Sequence, residues 1–86
     1  MKIELFYTPG CQECANARDE LRTAAKEIIP GVIWRELNAL DELDYAVEVG
    51  IITLPAIAID GELVFSSLPT RRQLQRELTK WTAGAG

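Results

Sequence analysis

Two cysteines separated by two residues, Cys11 and Cys14, are the side chains of this sequence best suited to covalent chemistry. In disulfide exchange the attacking group is the thiolate, so one of the two sulfurs must ionise near neutral pH. The pair follows a Thr8-Pro9-Gly10 break, where a strand should end and a helix begin. Free N–H groups and the dipole at a helix N-terminus favour the anion. The spacing therefore predicts a dithiol in which Cys11 attacks and Cys14, one turn further along, resolves the mixed disulfide.

A C-x-x-C pair can also bind a metal or be buried and inert. Structural zinc takes four ligands, but this chain has two cysteines and no histidine, so a Cys₄ site would have to be shared by two chains. Small copper or mercury carriers are of similar size and have a C-x-x-C after their first strand. Their elements run β-α-β-β-α-β, however, and an Asp-Gly hairpin followed by a capped last helix, as predicted here, does not fit that order. We keep these alternatives open and expect neither a bound metal nor a bound cofactor.

Length and charge exclude several classes of protein. The 86 residues fit one domain, which we predict over residues 1–82 with a flexible tail over 83–86. A net charge of -4 argues against nucleic acid as a partner. No apolar run approaches the ~18 residues of a membrane span, and the N-terminus lacks the long apolar segment of a signal peptide. We therefore expect a cytoplasmic monomer, and in the cytoplasm closely spaced cysteines indicate catalysis or metal binding.

The first half of the chain has the pattern of a strand, a helix and a second strand. Residues 2–7 alternate, with Ile3, Leu5 and Tyr7 on one face and Phe6 on the other. Apolar residues at helical spacing predict a helix over 12–29, which Pro30-Gly31 ends. The run that follows, 32–37, is predicted as the second strand.

The second half adds a short helix, a hairpin and a last helix. Asp41 is predicted to cap the short helix and Gly50 to end it. Asp60-Gly61 between two apolar runs is a strong hairpin signal. Thr70 and Gln73 form a T-x-x-Q capping box for the last helix, whose predicted buried stripe is Leu74, Leu78 and Trp81.

The resulting order, β-α-β-α-β-β-α, defines an α/β fold. The first two strands should be parallel, joined by a right-handed helical crossover, and the last two should be antiparallel. We predict a four-stranded mixed sheet with helices on both faces.

Directly before the predicted third strand stands Thr53-Leu54-Pro55. Together with the C-x-x-C pair, Asp60-Gly61 and the element order, this makes residues 2–81 resemble the thioredoxin/glutaredoxin superfamily, and short glutaredoxin-like thioredoxins and redoxins in particular. The resemblance implies a thioredoxin-like fold, a cis Leu54–Pro55 bond close to the two cysteines, and a Leu54 backbone offered to a substrate strand. It implies a substrate-binding surface made of Pro9, Gly10, Gln12, Glu13, Thr53, Leu54 and Pro55.

The resemblance also implies an activity, the reduction of disulfides in partner proteins. Glutathione-dependent glutaredoxins have a Gly-Gly and an Asp after the fourth strand, where this chain has Ser66-Ser67-Leu68-Pro69. Glu13 would also repel an anionic ligand, whereas Arg71 and Arg72 could attract one. We therefore expect electrons from a thioredoxin-reductase-type flavoenzyme. The alternatives are a glutathione-dependent glutaredoxin and, from another class, a soft-metal carrier or a non-catalytic binding module.

One position departs from the family pattern. Larger thioredoxins have a buried acid in the first strand, six residues before the nucleophile, and that position is Leu5 here. Glu36, on the neighbouring strand, either replaces that acid or lies at a wet sheet edge, and we expect the latter.

Overall fold

The computed structural model describes residues 1–8 and 12–84, with side chains for residues 1–8 and 17–82. The element order is the predicted one. In chain order the elements are β1 (Lys2–Tyr7), α1 (Gln12–Ile28), β2 (Ile33–Asn38), α2 (Leu43–Val49), β3 (Ala56–Ile59), β4 (Glu62–Phe65) and α3 (Arg71–Gly84).

The boundaries differ from the predicted ones by one or two residues. α1 ends one residue early, and β2 is displaced by one residue towards the C-terminus. α3 continues to Gly84, so it includes the first residues of the predicted tail.

The four strands form one mixed sheet in the order β2-β1-β3-β4. β1 and β2 are parallel, while β3 runs antiparallel to both β1 and β4. This confirms the predicted fold, including the crossover through α1. β1 lies at the centre, so its C-terminal end leads into the C-x-x-C segment from between two neighbours.

The two faces of β1 build two separate apolar cores. Ile3 and Leu5 pack with Leu21 of α1 and with Leu74 and Leu78 of α3, and all five are buried. On the other face, Phe6 packs with Leu37, Ala46 and Ala58 beneath α2. The alternation in β1 therefore places helices on both sides of the sheet, as predicted.

The hairpin between β3 and β4 has the predicted two-residue turn. Asp60 and Gly61 both have positive φ, 50° and 84°, as a type I′ turn requires. The turn is tied to the start of β1, because the Lys2 N–H donates to Asp60 Oδ1 at 2.9 Å and the Asp60 N–H donates to the Lys2 carbonyl at 2.8 Å.

The helix caps confirm two predictions and correct a third. The Thr70 N–H donates to Gln73 Oε1 at 2.8 Å, and the Gln73 N–H donates to Thr70 Oγ1 at 3.1 Å, which is the reciprocal capping box. Gly50 ends α2 with φ 94°, and its N–H donates to the Ala46 carbonyl.

The prediction that Asp41 caps α2 is wrong. The N-cap is Glu42, whose side chain makes no capping hydrogen bond. The reason is a turn that comes first: Asn38 Oδ1 accepts the Leu40 N–H, and the Asn38 carbonyl accepts the N–H groups of Asp41 and Glu42. Asp41 is therefore part of this turn, and the helix begins after it.

Within the described residues, no helix has the length and apolar character needed to cross a membrane.

Candidate redox site

The C-x-x-C segment occupies the predicted place between β1 and α1. β1 ends at Tyr7 and α1 begins at Gln12, so Cys14 is the third residue of the helix. Pro9, Gly10 and Cys11 lie outside the described residues, as do the side chains of Gln12, Glu13 and Cys14. The roles predicted for these residues, including the alternative of metal binding, stay predictions.

The Thr53-Leu54-Pro55 segment lies at the same end of the sheet. Ala56, the first residue of β3, is opposite Phe6 of β1, so the chain enters β3 beside the point where β1 leaves for the C-x-x-C segment. The Leu54–Pro55 bond is cis, as predicted. Sheet register therefore brings the ends of the strands next to these two motifs, which are far apart in sequence, to the same end of the sheet.

Local contacts fix the conformation of this segment. Thr53 Oγ1 donates to the Ser66 carbonyl at 2.7 Å, which ties it to the residue just after β4. Pro55 is half-buried, whereas Leu54 is 38% exposed and Ile52 is 90% exposed. The segment thus presents apolar side chains next to backbone that is held in place.

Arg18, in the first half of α1, packs against side chains of β1 and β2. Its guanidinium carbon lies 4.3 Å from the centroid of the Tyr7 ring, a cation–π contact. A guanidinium nitrogen lies 3.5 Å from Glu36 Oε1, and the Arg18 side chain is 21% exposed. Its Nε atom is buried and has no hydrogen-bond partner within the described part of the chain.

The carboxylate of Glu36 makes one hydrogen bond and two ion pairs. Trp34 Nε1 donates to Glu36 Oε2 at 2.9 Å. Arg18 and Arg22 of α1 lie 3.5 and 3.9 Å from its two oxygens. The carboxylate is 25% exposed, so it is only partly in contact with water. In register it lies beside Leu5, which is fully buried.

A second acid, Glu4, was not singled out by the sequence analysis. Its side chain is completely buried on the opposite face of the sheet, towards α2. Tyr45 donates its hydroxyl to Glu4 Oε1 at 2.5 Å, and nitrogens of Arg35 and Lys2 lie 3.4 and 3.7 Å from the carboxylate. The alternation of β1, which places residue 4 on the face of Phe6, was the signal that could have located it.

The hydrogen bond to Glu4 is the main reason why the pKa of Tyr45 is raised from 10.0, and burial and the nearby negative charge raise it further. The neutral phenol is therefore favoured at this position, where it acts as the donor to the carboxylate.

Comparison with known proteins agrees with this geometry. The family model described as "Thioredoxin domain" matches residues 1–79. A thioredoxin of Methanocaldococcus jannaschii is 32% identical over 80 residues, which cover 93% of this chain and 94% of the relative. A thioredoxin of Methanothermobacter thermautotrophicus is 31% identical over 80 residues, covering 92% and 99% of the two chains. Among solved structures, thioredoxin 1 of Thermosipho africanus superposes with a TM-score of 0.79 at 17% identity, covering 99% and 98% of the two chains.

Proposed function

This chain belongs to the thioredoxin domain family, and from that membership we propose that Cys11 and Cys14 are the redox pair with which it reduces disulfides in partner proteins. As a thioredoxin relative it is a dithiol–disulfide oxidoreductase. The observation that supports the assignment of the pair is that β1 ends, just before the C-x-x-C segment, at the same end of the sheet as the cis Leu54–Pro55 bond.

The proposed reaction takes place in two exchange steps. The Cys11 thiolate attacks one sulfur of the substrate disulfide, the S–S bond breaks, and one substrate thiolate leaves and takes up a proton. The Cys14 thiol loses its proton to solvent, and the thiolate attacks the Cys11 sulfur of the mixed disulfide. The second substrate thiolate then leaves and is protonated. Two electrons pass to the substrate, and the Cys11–Cys14 disulfide forms.

We propose that the substrate binds along residues 52–55. The side chains of Ile52 and Leu54 are exposed there, although large apolar side chains are ordinarily buried. The bond between Thr53 and the Ser66 carbonyl holds the intervening backbone in place, so that it can pair with an extended substrate.

Insulin-disulfide reduction tests the assignment of the redox pair. We expect Cys11→Ser to abolish turnover, because it removes the attacking sulfur. Cys14→Ser should accumulate a covalent adduct with a disulfide substrate, which can be detected by mass spectrometry and released by dithiothreitol. An adduct on the Cys11→Ser variant together with an inert Cys14→Ser variant would reverse the two roles, and full turnover by both variants would remove the assignment.

The electron donor we propose is a thioredoxin-reductase-type flavoenzyme. Of the two arginines at the start of α3 that could attract an anion such as glutathione, Arg71 already donates to Glu27 Oε2 at 2.7 Å, and Thr70 and Gln73 cap each other. The relatives are named thioredoxins, so a glutaredoxin is not favoured. The same insulin assay, run with reductase plus NADPH and separately with glutathione plus its reductase, should turn over faster with the first donor. Equal or faster turnover with glutathione would contradict the proposal.

We also propose that the chain acts as a monomer. The edge strands β2 and β4 are six and four residues long and include the charged residues Arg35, Glu36 and Glu62, which discourage edge-to-edge pairing.

A further inference from the structure

Arg18 occupies a position in α1 that the reaction described so far does not use. It follows Cys14 by four residues within the same helix. Residues four apart in an α-helix are neighbours on one face, so the arginine belongs to the helix face that carries the second cysteine of the pair.

Contacts with Tyr7 and Glu36 hold the guanidinium of Arg18 between α1 and the sheet. The Tyr7 ring lies 4.3 Å below the guanidinium, and Tyr7 is the last residue of β1 before the C-x-x-C connection. Glu36 lies 3.5 Å away on the β2 side. A cation held between an aromatic face and one carboxylate is restrained without being surrounded by acceptors.

One atom of this side chain lacks the partner that a buried donor requires. The Nε–H of Arg18 is buried and has no acceptor among the described residues. Leaving such a donor unsatisfied is costly, which is why nearly all buried polar groups have partners. An acceptor that forms only during the reaction would account for it.

We infer that Arg18 stabilises the thiolate of Cys14, the form that must attack the mixed disulfide. A thiolate is an anion and a hydrogen-bond acceptor, so a neighbouring guanidinium favours it over the thiol by charge and by hydrogen bonding. The proton that Cys14 loses goes to solvent, and the Cys14 electron pair then forms the bond to the Cys11 sulfur. Arg18 gains and loses no proton in this step.

The other charged groups around Arg18 do not cancel its stabilisation of the Cys14 thiolate. Arg22 lies one further turn along α1, and its closest partner is Asp19 at 2.9 Å, with Glu36 at 3.9 Å. Trp34 donates a hydrogen bond to Glu36, so the charge of that carboxylate is shared by one donor and two nearby arginines. Of the two arginines, Arg18 is the one next to Cys14 on the helix.

The inference rests on the proposed roles of the cysteines, and its test is separate from theirs. In a Cys11→Ser background Cys14 is the only thiol, so thiolate absorbance near 240 nm against pH reports its pKa directly. Adding Arg18→Met should raise the pKa of Cys14 by about one pH unit or more, because removal of an adjacent opposite charge shifts a titration by that order. In the otherwise wild-type chain, the same substitution should slow release of the second substrate thiol at pH 7 by roughly threefold, because the loss of thiolate is partly offset by the higher nucleophilicity of the more basic sulfur.

Matched variants distinguish a charge effect from a loss of packing. Arg18→Lys should restore most of the low pKa, and Arg22→Met, which removes the other arginine near Glu36, should leave it unchanged. Circular dichroism checks folding, and Arg18→Gln replaces Arg18→Met if the latter fails to fold. An unchanged pKa of Cys14 in the folded neutral variant, or an equal rise in Arg22→Met, would overturn the inference. Turnover by Cys11→Ser would instead refute the assignment of the pair.

Discussion

The carboxylate of Glu4 is completely buried, and three side chains compensate its charge, two of them by hydrogen bonds. Tyr45, Arg35 and Lys2 supply a hydroxyl and two cations to its two oxygens. A buried charge is tolerated when it is paired and hydrogen-bonded. Because Tyr45 belongs to α2 and Glu4 to the central strand, this polar contact also fastens the helix to the sheet.

Tyr45→Phe should therefore destabilise the fold. A hydrogen bond to a charged acceptor contributes about 1.5–3 kcal/mol, and we expect a loss of that order in the free energy of unfolding by urea. A double-mutant cycle with Glu4→Gln is the control: if the hydrogen bond is responsible, the two losses will not add. Additive losses, or a loss below about 0.5 kcal/mol, would contradict the role given to this bond.

The same pair predicts how stability changes in alkaline solution. The pKa of Tyr45 is raised in the folded protein, so the folded state holds this proton more tightly than the unfolded chain does. The corresponding stabilisation is fully present below pH ~10 and is lost as pH rises through the folded pKa. Urea unfolding at increasing pH above ~10 should show this fall, and Tyr45→Phe should show a smaller one. Parallel curves for the two proteins would refute the linkage.

Among the elements, those that depend on local chemistry could be predicted from sequence. The Asp60-Gly61 turn, the Gly50 stop and the Thr70–Gln73 box each depend on residues within a few positions of one another. The start of α2 could not be predicted in this way, because Asn38 forms a turn with Leu40, Asp41 and Glu42, and the helix begins only after that turn.

The capping box gives a second test of stability. Thr70→Ala removes the oxygen that accepts the Gln73 N–H, and loss of such a cap costs about 1 kcal/mol. In a domain of this size, that lowers the melting temperature by roughly 4–8 °C. Thr79→Ala is the matched control, since Thr79 donates to the Gln75 carbonyl within α3, where alanine is the better helix former. Equal losses in the two variants would show that the box contributes nothing specific.

For the molecule as a whole, the pairing within each half of the sheet could be predicted, whereas the polar contacts between elements could not. The crossover rule and the hairpin signal predicted the parallel pair β1–β2 and the antiparallel pair β3–β4, and the structure adds that β3 lies beside β1. The burial of Glu4 depends on Tyr45, 41 positions away, and the place of Arg18 depends on packing of α1 against Tyr7 and Glu36. The candidate site was similarly split: its motifs were visible in the sequence, whereas the arginine beneath it was not.

The two apolar cores differ in size, and the smaller one lies beneath α2, the helix that precedes the proposed substrate-binding segment. The core under α1 and α3 is the larger, while beneath α2 Phe6, Leu37, Ala46 and Ala58 form a small one. α2 leads directly into residues 51–55. The contact between Tyr45 and Glu4 therefore supports the helix that precedes the proposed substrate-binding segment.

The ties between Lys2 and Asp60 place the first strand's beginning beside the hairpin turn, at the opposite end of the sheet from Pro55. β1 has six residues, and at about 3.3 Å per residue its two ends are roughly 17 Å apart. A fluorescent reporter, an affinity handle or a whole carrier protein joined ahead of Met1 would thus emerge on the far side from the dithiol. Such fusions offer a way to immobilise this oxidoreductase on a surface with its reactive edge facing the solution.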